Sequence, residues 1–180
     1  MKSNKKEKKR ISKAYWIWFQ FSESDTKKLN NIKKIINNKL KGPYFQIHLT
    51  AIGPYLKLTK KDLNKIELIS KKIKKFKIQL DNYKLSYQKY TSLYISVEKS
   101  KQIINVRKKF SRTNYKKQNN KYKPHISLFY GNKDIVTKKS VIKKLPKLIK
   151  FITIDKLCIV DVDEKINKWK IIKTFKLKNV

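Results

Sequence analysis

Two histidines are the chain's candidates for acid–base chemistry, and they are the only two in 180 residues. His48 stands in F-Q-I-H-L-T-A-I, residues 45–52, and His125 in K-P-H-I-S-L-F-Y-G, residues 123–131. Each is followed two positions on by a hydroxyl, Thr50 in the first segment and Ser127 in the second. Serine and threonine fill 20 of the 180 positions, so two histidines would both meet one at that spacing about once in 81 by accident. An extended chain points residues i and i+2 to the same face. Each segment therefore offers an imidazole beside a hydroxyl, with Ile47, Leu49 and Ala51, or Ile126 and Leu128, turned the other way toward a core. An imidazole with an unperturbed pKa near ~6.5 can gain or lose a proton near neutrality. Two of them flanking a phosphodiester can take a proton from an attacking water and give one to the departing ribose oxygen. The two hydroxyls can donate to the non-bridging oxygens as charge builds there. A lone histidine on a half-buried strand is more often structural; the matched pair is what points to chemistry.

The elements that must hold this pair can be read from periodicity. Residues 15–21, Y-W-I-W-F-Q-F, have the composition of a buried strand. Ser22 to Asp25 supply caps for a helix whose Leu29, Ile32, Ile35, Ile36 and Leu40 fall at helical spacing, and Gly42-Pro43 stops it. The first histidine strand follows, over residues 45–53. Thr59 then opens a helix over residues 59–75 with a stripe of Leu63, Ile66, Ile69 and Ile73. Strands are expected around 76–87 and 91–98, a helix around 99–110, and a polar loop over 112–123. After the second histidine strand come a short helix near 134–144 and two long strands, joined by a hairpin-like turn at Asp163 to Asn167. Strands pairing at close range imply an α+β protein with antiparallel sheets rather than a doubly wound parallel one. The recurrence of a histidine strand suggests two related lobes.

The net charge of +36 comes from 48 basic residues, of which only Arg10, Arg107 and Arg112 are arginine. Such a charge favours polyanionic partners. Lysine, asparagine and isoleucine share A/T-rich codons, however, so coding bias competes with binding as its origin. Cys158 is alone and cannot form an internal disulfide; with two histidines it cannot make a structural zinc site. A reducing, cytoplasmic setting is expected. No apolar run approaches the ~18–20 residues of a membrane span. Residues 1–12 read as a basic, disordered tail before one domain over 13–180. The acidic stretch from Asp161 to Glu164 reads as part of a turn, so no metal or cofactor is expected. Tyr15, Trp16 and Trp18 are candidates for stacking on a base, with core packing the better reading for at least one tryptophan. Lys121 and Lys123 could meet a phosphate, although the simpler reading makes them solvated loop lysines.

The two motifs together resemble the paired His-x-Thr/Ser signature of the two-histidine (2H) phosphoesterases, which share the LigT-like or 2′-5′ RNA ligase-like fold. The flanks G-P-Y-F-Q-I-H-L-T-A-I-G and Y-K-P-H-I-S-L-F-Y-G are similar to the cyclic phosphodiesterase branch, and the likeness runs over roughly residues 14–178. Ile47 departs from it, standing where relatives often have proline. The resemblance implies a bilobal α+β fold with one motif per lobe and a cleft between them. It implies metal-independent hydrolysis of a ribose cyclic phosphate, either a nucleoside 2′,3′-cyclic phosphate or ADP-ribose 1″,2″-cyclic phosphate; a monomer is expected. His48 and His125 would be catalytic, and Thr50 and Ser127 would bind phosphate. Tyr130 would join them by the same resemblance. Regular alternation gives Tyr130 the wrong parity, unless the strand ends before Gly131. Two other readings stay open: an enzyme that processes RNA ends, at a terminal 2′,3′-cyclic phosphate or a 2′–5′ linkage, and a non-catalytic RNA-binding module.

Overall fold

The computed structural model describes residues 13–111 and 120–179. The expected basic tail and residues 112–119 of the expected polar loop lie outside the described residues. In chain order the elements are β1 (Lys13–Phe21), α1 (Glu23–Leu40), β2 (Leu49–Tyr55), α2 (Lys60–Ser70), β3 (Phe76–Leu85) and β4 (Leu93–Val97). They continue with α3 (Lys101–Phe110), β5 (His125–Phe129), α4 (Ile135–Ile142), β6 (Phe151–Asp163) and β7 (Lys170–Lys176).

The caps explain where the helices begin. Ser22 accepts from the backbone N–H of Asp25 ahead of α1. Thr59 and Asp62 form a reciprocal capping box at α2, and Ser100 and Asp134 cap α3 and α4. The chain leaves α1 through Lys41 in a left-handed conformation (φ 53°) before Gly42-Pro43. α2 closes at Ser70, short of residue 75, because Ile73 and Lys75 turn back to pair with Lys178 near the end of the chain.

All named strand pairings are antiparallel, in the order β1-β2-β5-β4-β3-β6-β7. β6 also pairs with β1, so six strands close into a barrel-like ring with β7 outside it. The length of β6 makes this closure possible. Residues 151–154 pair with β3, residues 154–163 with β1, and β7 occupies residues 156–161 where β3 has been left behind. The fold is thus the α+β, antiparallel class that the sequence suggested. The two runs β1-α1-β2 and β4-α3-β5 bring their second strands side by side. Those strands, β2 and β5, register at one pair alone, Leu49 opposite Ile126. The main core packs Leu29, Ile32 and Ile36 of α1 and Ile103 and Phe110 of α3 against inward residues such as Leu49, Ile126 and Leu157. On the opposite face a small cluster gathers Trp18, Cys158 and Val160, so β6 is buried on both sides from Leu157 to Val160.

One boundary differs from expectation in a way that matters. The ladder of β2 begins at Leu49, leaving residues 45–48 outside the strand. Side chains take the ladder's place there: Lys33 of α1 donates to the Phe45 carbonyl, and the His48 ring bonds the Gln46 carbonyl. No helix among the described residues is long and apolar enough to cross a membrane.

Candidate active site

The single β2–β5 pair sits in the middle of both motifs. Leu49 and Ile126 point into the core, so the flanking residues face the other way. Counting outward antiparallel from that pair sets His48 toward Ser127 and Thr50 toward His125. The four side chains form a square in which each imidazole stands across the seam from the other motif's hydroxyl. The imidazoles occupy diagonal positions, which in an ordinary ladder lie about 7–8 Å apart. A cavity of about 1300 Å³ opens over this square. His48, Thr50, His125, Ser127 and Tyr130 all line it.

Both imidazoles are anchored by one local device. His48 Nδ1 lies 2.7 Å from the Gln46 carbonyl, and His125 Nδ1 lies 2.9 Å from the Lys123 carbonyl. A carbonyl only accepts, so Nδ1 carries the proton in each ring and Nε2 is left for a ligand. Tyr130 resolves its parity conflict as follows. β5 ends at Phe129, and Gly131 adopts φ +150°, where a Cβ would come within 2.8 Å of the Phe129 ring. Released from alternation, Tyr130 turns to the cavity side, which Ser127 also lines.

Aromatic rings make the walls. Trp18 stacks face to face on His48, with centroids 3.5 Å apart and planes 7° from parallel. Phe45 stacks on Tyr130 at 4.0 Å, and Trp169 meets Trp18, His48 and Tyr130 edge-on. Trp16 and Trp18 both line the cavity while packing on the small cluster, so each is wall and packing residue at once. Tyr15 instead packs against the main core. Gly53, at φ +151°, admits the Trp16 ring: a Cβ there would lie 2.5 Å from it. The sequence reading missed Trp169, which arrives from the turn between β6 and β7 and is fixed by donating from Nε1 to the Asp163 carbonyl at 2.7 Å. Its one signal was being the chain's third tryptophan, placed just after an acidic hairpin. Lys121 and Lys123, read as solvated, also line the cavity.

Burial governs the electrostatics. It lowers the His48 pKa to about 3, with the Gln46 bond opposing and the positive charge of His125 and Lys33 assisting. Burial also lowers His125, against its bond to the Lys123 carbonyl. Both rings are therefore predominantly neutral at pH 7. Tyr130 is pushed up to about 12, chiefly by burial, and stays a phenol. No carboxylate is among the described residues that line the cavity, and no group of three or more histidines, cysteines or acids among the described residues could hold a metal ion.

The sequence matches the family model of the 2′-5′ RNA ligase superfamily over residues 41–165, a span that includes both histidine motifs. The chain belongs to that superfamily, the two-histidine phosphoesterases with a LigT-like fold. No curated protein matches it in sequence. Among solved structures it is similar to TT0787 of Thermus thermophilus, at 13% identity and a TM-score of 0.60, covering 92% of this chain and 98% of that one. It is similar also to E. coli LigT in its apo form, at 11% identity and a TM-score of 0.59, over 92% and 98% of the two chains. The LigT complex with 3′-AMP gives 13% identity and a TM-score of 0.55, over 93% and 99%. At these identities the likeness is one of fold.

Proposed function

We propose that this protein is a metal-independent cyclic phosphodiesterase that opens a ribose cyclic phosphate to a phosphomonoester. The observation that carries the reading is the square of two imidazoles and two hydroxyls around one seam, both rings anchored at Nδ1. A cyclic phosphate bound over the square meets Nε2 of each histidine from opposite corners. One imidazole takes the proton of the attacking water through its free Nε2. The other gains a proton as the phosphate's negative charge enters and delivers it to the departing ribose oxygen. Thr50, Ser127 and the Tyr130 phenol donate to the non-bridging oxygens, and Lys121 and Lys123 balance their charge. The substrate is a nucleoside 2′,3′-cyclic phosphate or ADP-ribose 1″,2″-cyclic phosphate, and the rings of Trp16 and Trp169 receive its nucleoside.

A second reading, action on a cyclic phosphate at the end of an RNA, is favoured by size. About 1300 Å³ exceeds the ~300–1,000 Å³ of typical small-ligand pockets. One assay separates the two: incubate the protein with EDTA and offer cyclic mononucleotides, ADP-ribose cyclic phosphate and an oligonucleotide ending in a 2′,3′-cyclic phosphate. Turnover of a small cyclic nucleotide that persists in EDTA and falls at least ~100-fold in His48→Ala and in His125→Ala is expected. Loss of activity on chelation overturns the mechanism. Tight RNA binding with no hydrolysis makes the protein a binding module instead.

A further inference from the structure

The seam between the two motifs is held by one backbone pair, yet it must keep two imidazoles in a fixed relation. The side chains around it supply what the ladder lacks. Tyr122, three residues before His125, donates from its hydroxyl to the Thr50 carbonyl at 2.8 Å. Arg107, on the buried face of α3, donates to the next carbonyl, that of Ala51. The Arg107 guanidinium sits over the Tyr122 ring, its central carbon 3.4 Å from the ring centroid. α3 is itself tied to the far end of β2, because the Tyr55 hydroxyl donates to the Phe110 carbonyl at 2.7 Å. Two successive carbonyls following the first motif's imidazole are thus grasped by a stacked pair whose other end adjoins Lys123, the residue that anchors His125.

We propose that Arg107 and Tyr122 form a brace that sets the separation of the two histidine motifs, and that both are positioning residues for the reaction proposed above. The identity of residue 107 supports this. In a chain with 45 lysines and three arginines, position 107 carries the only arginine among the described residues. A lysine could supply the charge and one hydrogen bond. Only a planar guanidinium can stack on a ring while directing an N–H along the same plane to a carbonyl. Tyr122 is likewise held as a phenol: burial raises its pKa, with Arg107 opposing, so the hydroxyl remains a donor to Thr50.

The brace rests on the cyclic phosphodiesterase reading for its kinetic readout but has a second readout of its own. Arg107→Lys, Tyr122→Phe and the double variant are compared with the wild type by steady-state kinetics on a 2′,3′-cyclic nucleotide, by thermal melting, and by NMR of 15N-histidine-labelled protein. Tyr122→Phe keeps the stacked ring and deletes only the bond to Thr50, so it reports even if Arg107→Lys folds poorly. Each single variant is expected to lower kcat about 10- to 50-fold with KM within about twofold, since misplacement of reacting groups by ~1 Å costs up to ~100-fold. The double variant should fall no more than about threefold below the worse single, because both act through one brace. The ring signals of both histidines should move together. A fall in melting temperature with kcat unchanged, or a rise in KM in place of the kcat loss, overturns the brace as a positioning device. If the wild type opens no cyclic phosphate, the function is at fault; the ring signals then decide alone, with movement of both upholding the brace and movement of one or neither overturning it.

Discussion

At the scale of single residues, burial disfavours the charged form of both imidazoles in the folded protein. Trp18 covers one face of His48, and burial lowers that ring's pKa from 6.5 to about 3. In the unfolded chain the same ring protonates near pH 6.5, so between pH 6.5 and about 3 the unfolded state binds the extra proton. Stability contributed by the neutral ring is complete above pH 6.5 and declines as pH falls through that window. The slope from His48 alone approaches ~1.4 kcal/mol per pH unit. Thermal melts across pH 7 to 4 should show the melting temperature dropping, and more shallowly in a folded His48→Asn variant. Equal slopes in the two proteins would mean that the ring is not desolvated as described. This anchoring was only half legible in sequence. The i and i+2 parity of His48 with Thr50, and of His125 with Ser127, follows from alternation and needs no tertiary information. Tyr130 escapes that rule because a glycine turn ends the strand, and the residue pair alone does not say where a strand ends.

At the scale of elements, the β6–β7 hairpin contributes a wall to the cavity that opens over β2, β5 and the segment before β2. Trp169 reaches three site rings from this turn while its indole N–H is held by the Asp163 carbonyl. On the function proposed above, Trp169→Ala should raise KM for a cyclic nucleotide about 5- to 20-fold with a smaller change in kcat, because the ring lines the cavity but carries none of the proposed acid–base or hydroxyl groups. Steady-state kinetics on a folded variant checks this; a kcat loss at constant KM would place Trp169 with the reacting groups instead. The helices were legible because their caps and stripes are local: Ser22, Thr59, Ser100 and Asp134 each cap a helix within a few residues of the expected start. Residues 45–48 were not. Their β-like composition promised a strand, but Lys33 claims the Phe45 carbonyl from a helix twelve residues upstream, and nothing in the segment announces that partner.

At the scale of the whole molecule, the charge and the site are only loosely related. Lysine makes up a quarter of the chain but 4 of the 25 described residues that line the cavity, whereas aromatic residues are 12% of the chain and 8 of those 25. The described lining is therefore richer in rings and poorer in lysine than the chain as a whole. Raising salt from 50 to 200 mM should change kcat/KM for a cyclic mononucleotide by less than about threefold. An oligonucleotide that also lies along the outer lysines should lose about tenfold or more. Parallel losses for both substrates would show that the charge acts at the square itself. The antiparallel α+β class was readable from strands close in sequence. The closing pair of the ring was not, since β1 and β6 lie some 140 residues apart and each is apolar enough to pair with almost anything.

The two Nδ1 anchors carry a consequence for how this site tolerates change. In many enzymes a carboxylate holds the working histidine, and replacing that one acid releases the ring. Here the holders are the carbonyls of Gln46 and Lys123, which are main-chain atoms and survive any substitution at those positions that leaves the backbone path intact. The choice of reactive nitrogen is thus written into the backbone rather than into a neighbour's side chain. A sequence can drift far, through lysine-rich surfaces and altered flanks, while the same two Nε2 atoms stay unclaimed by those anchors.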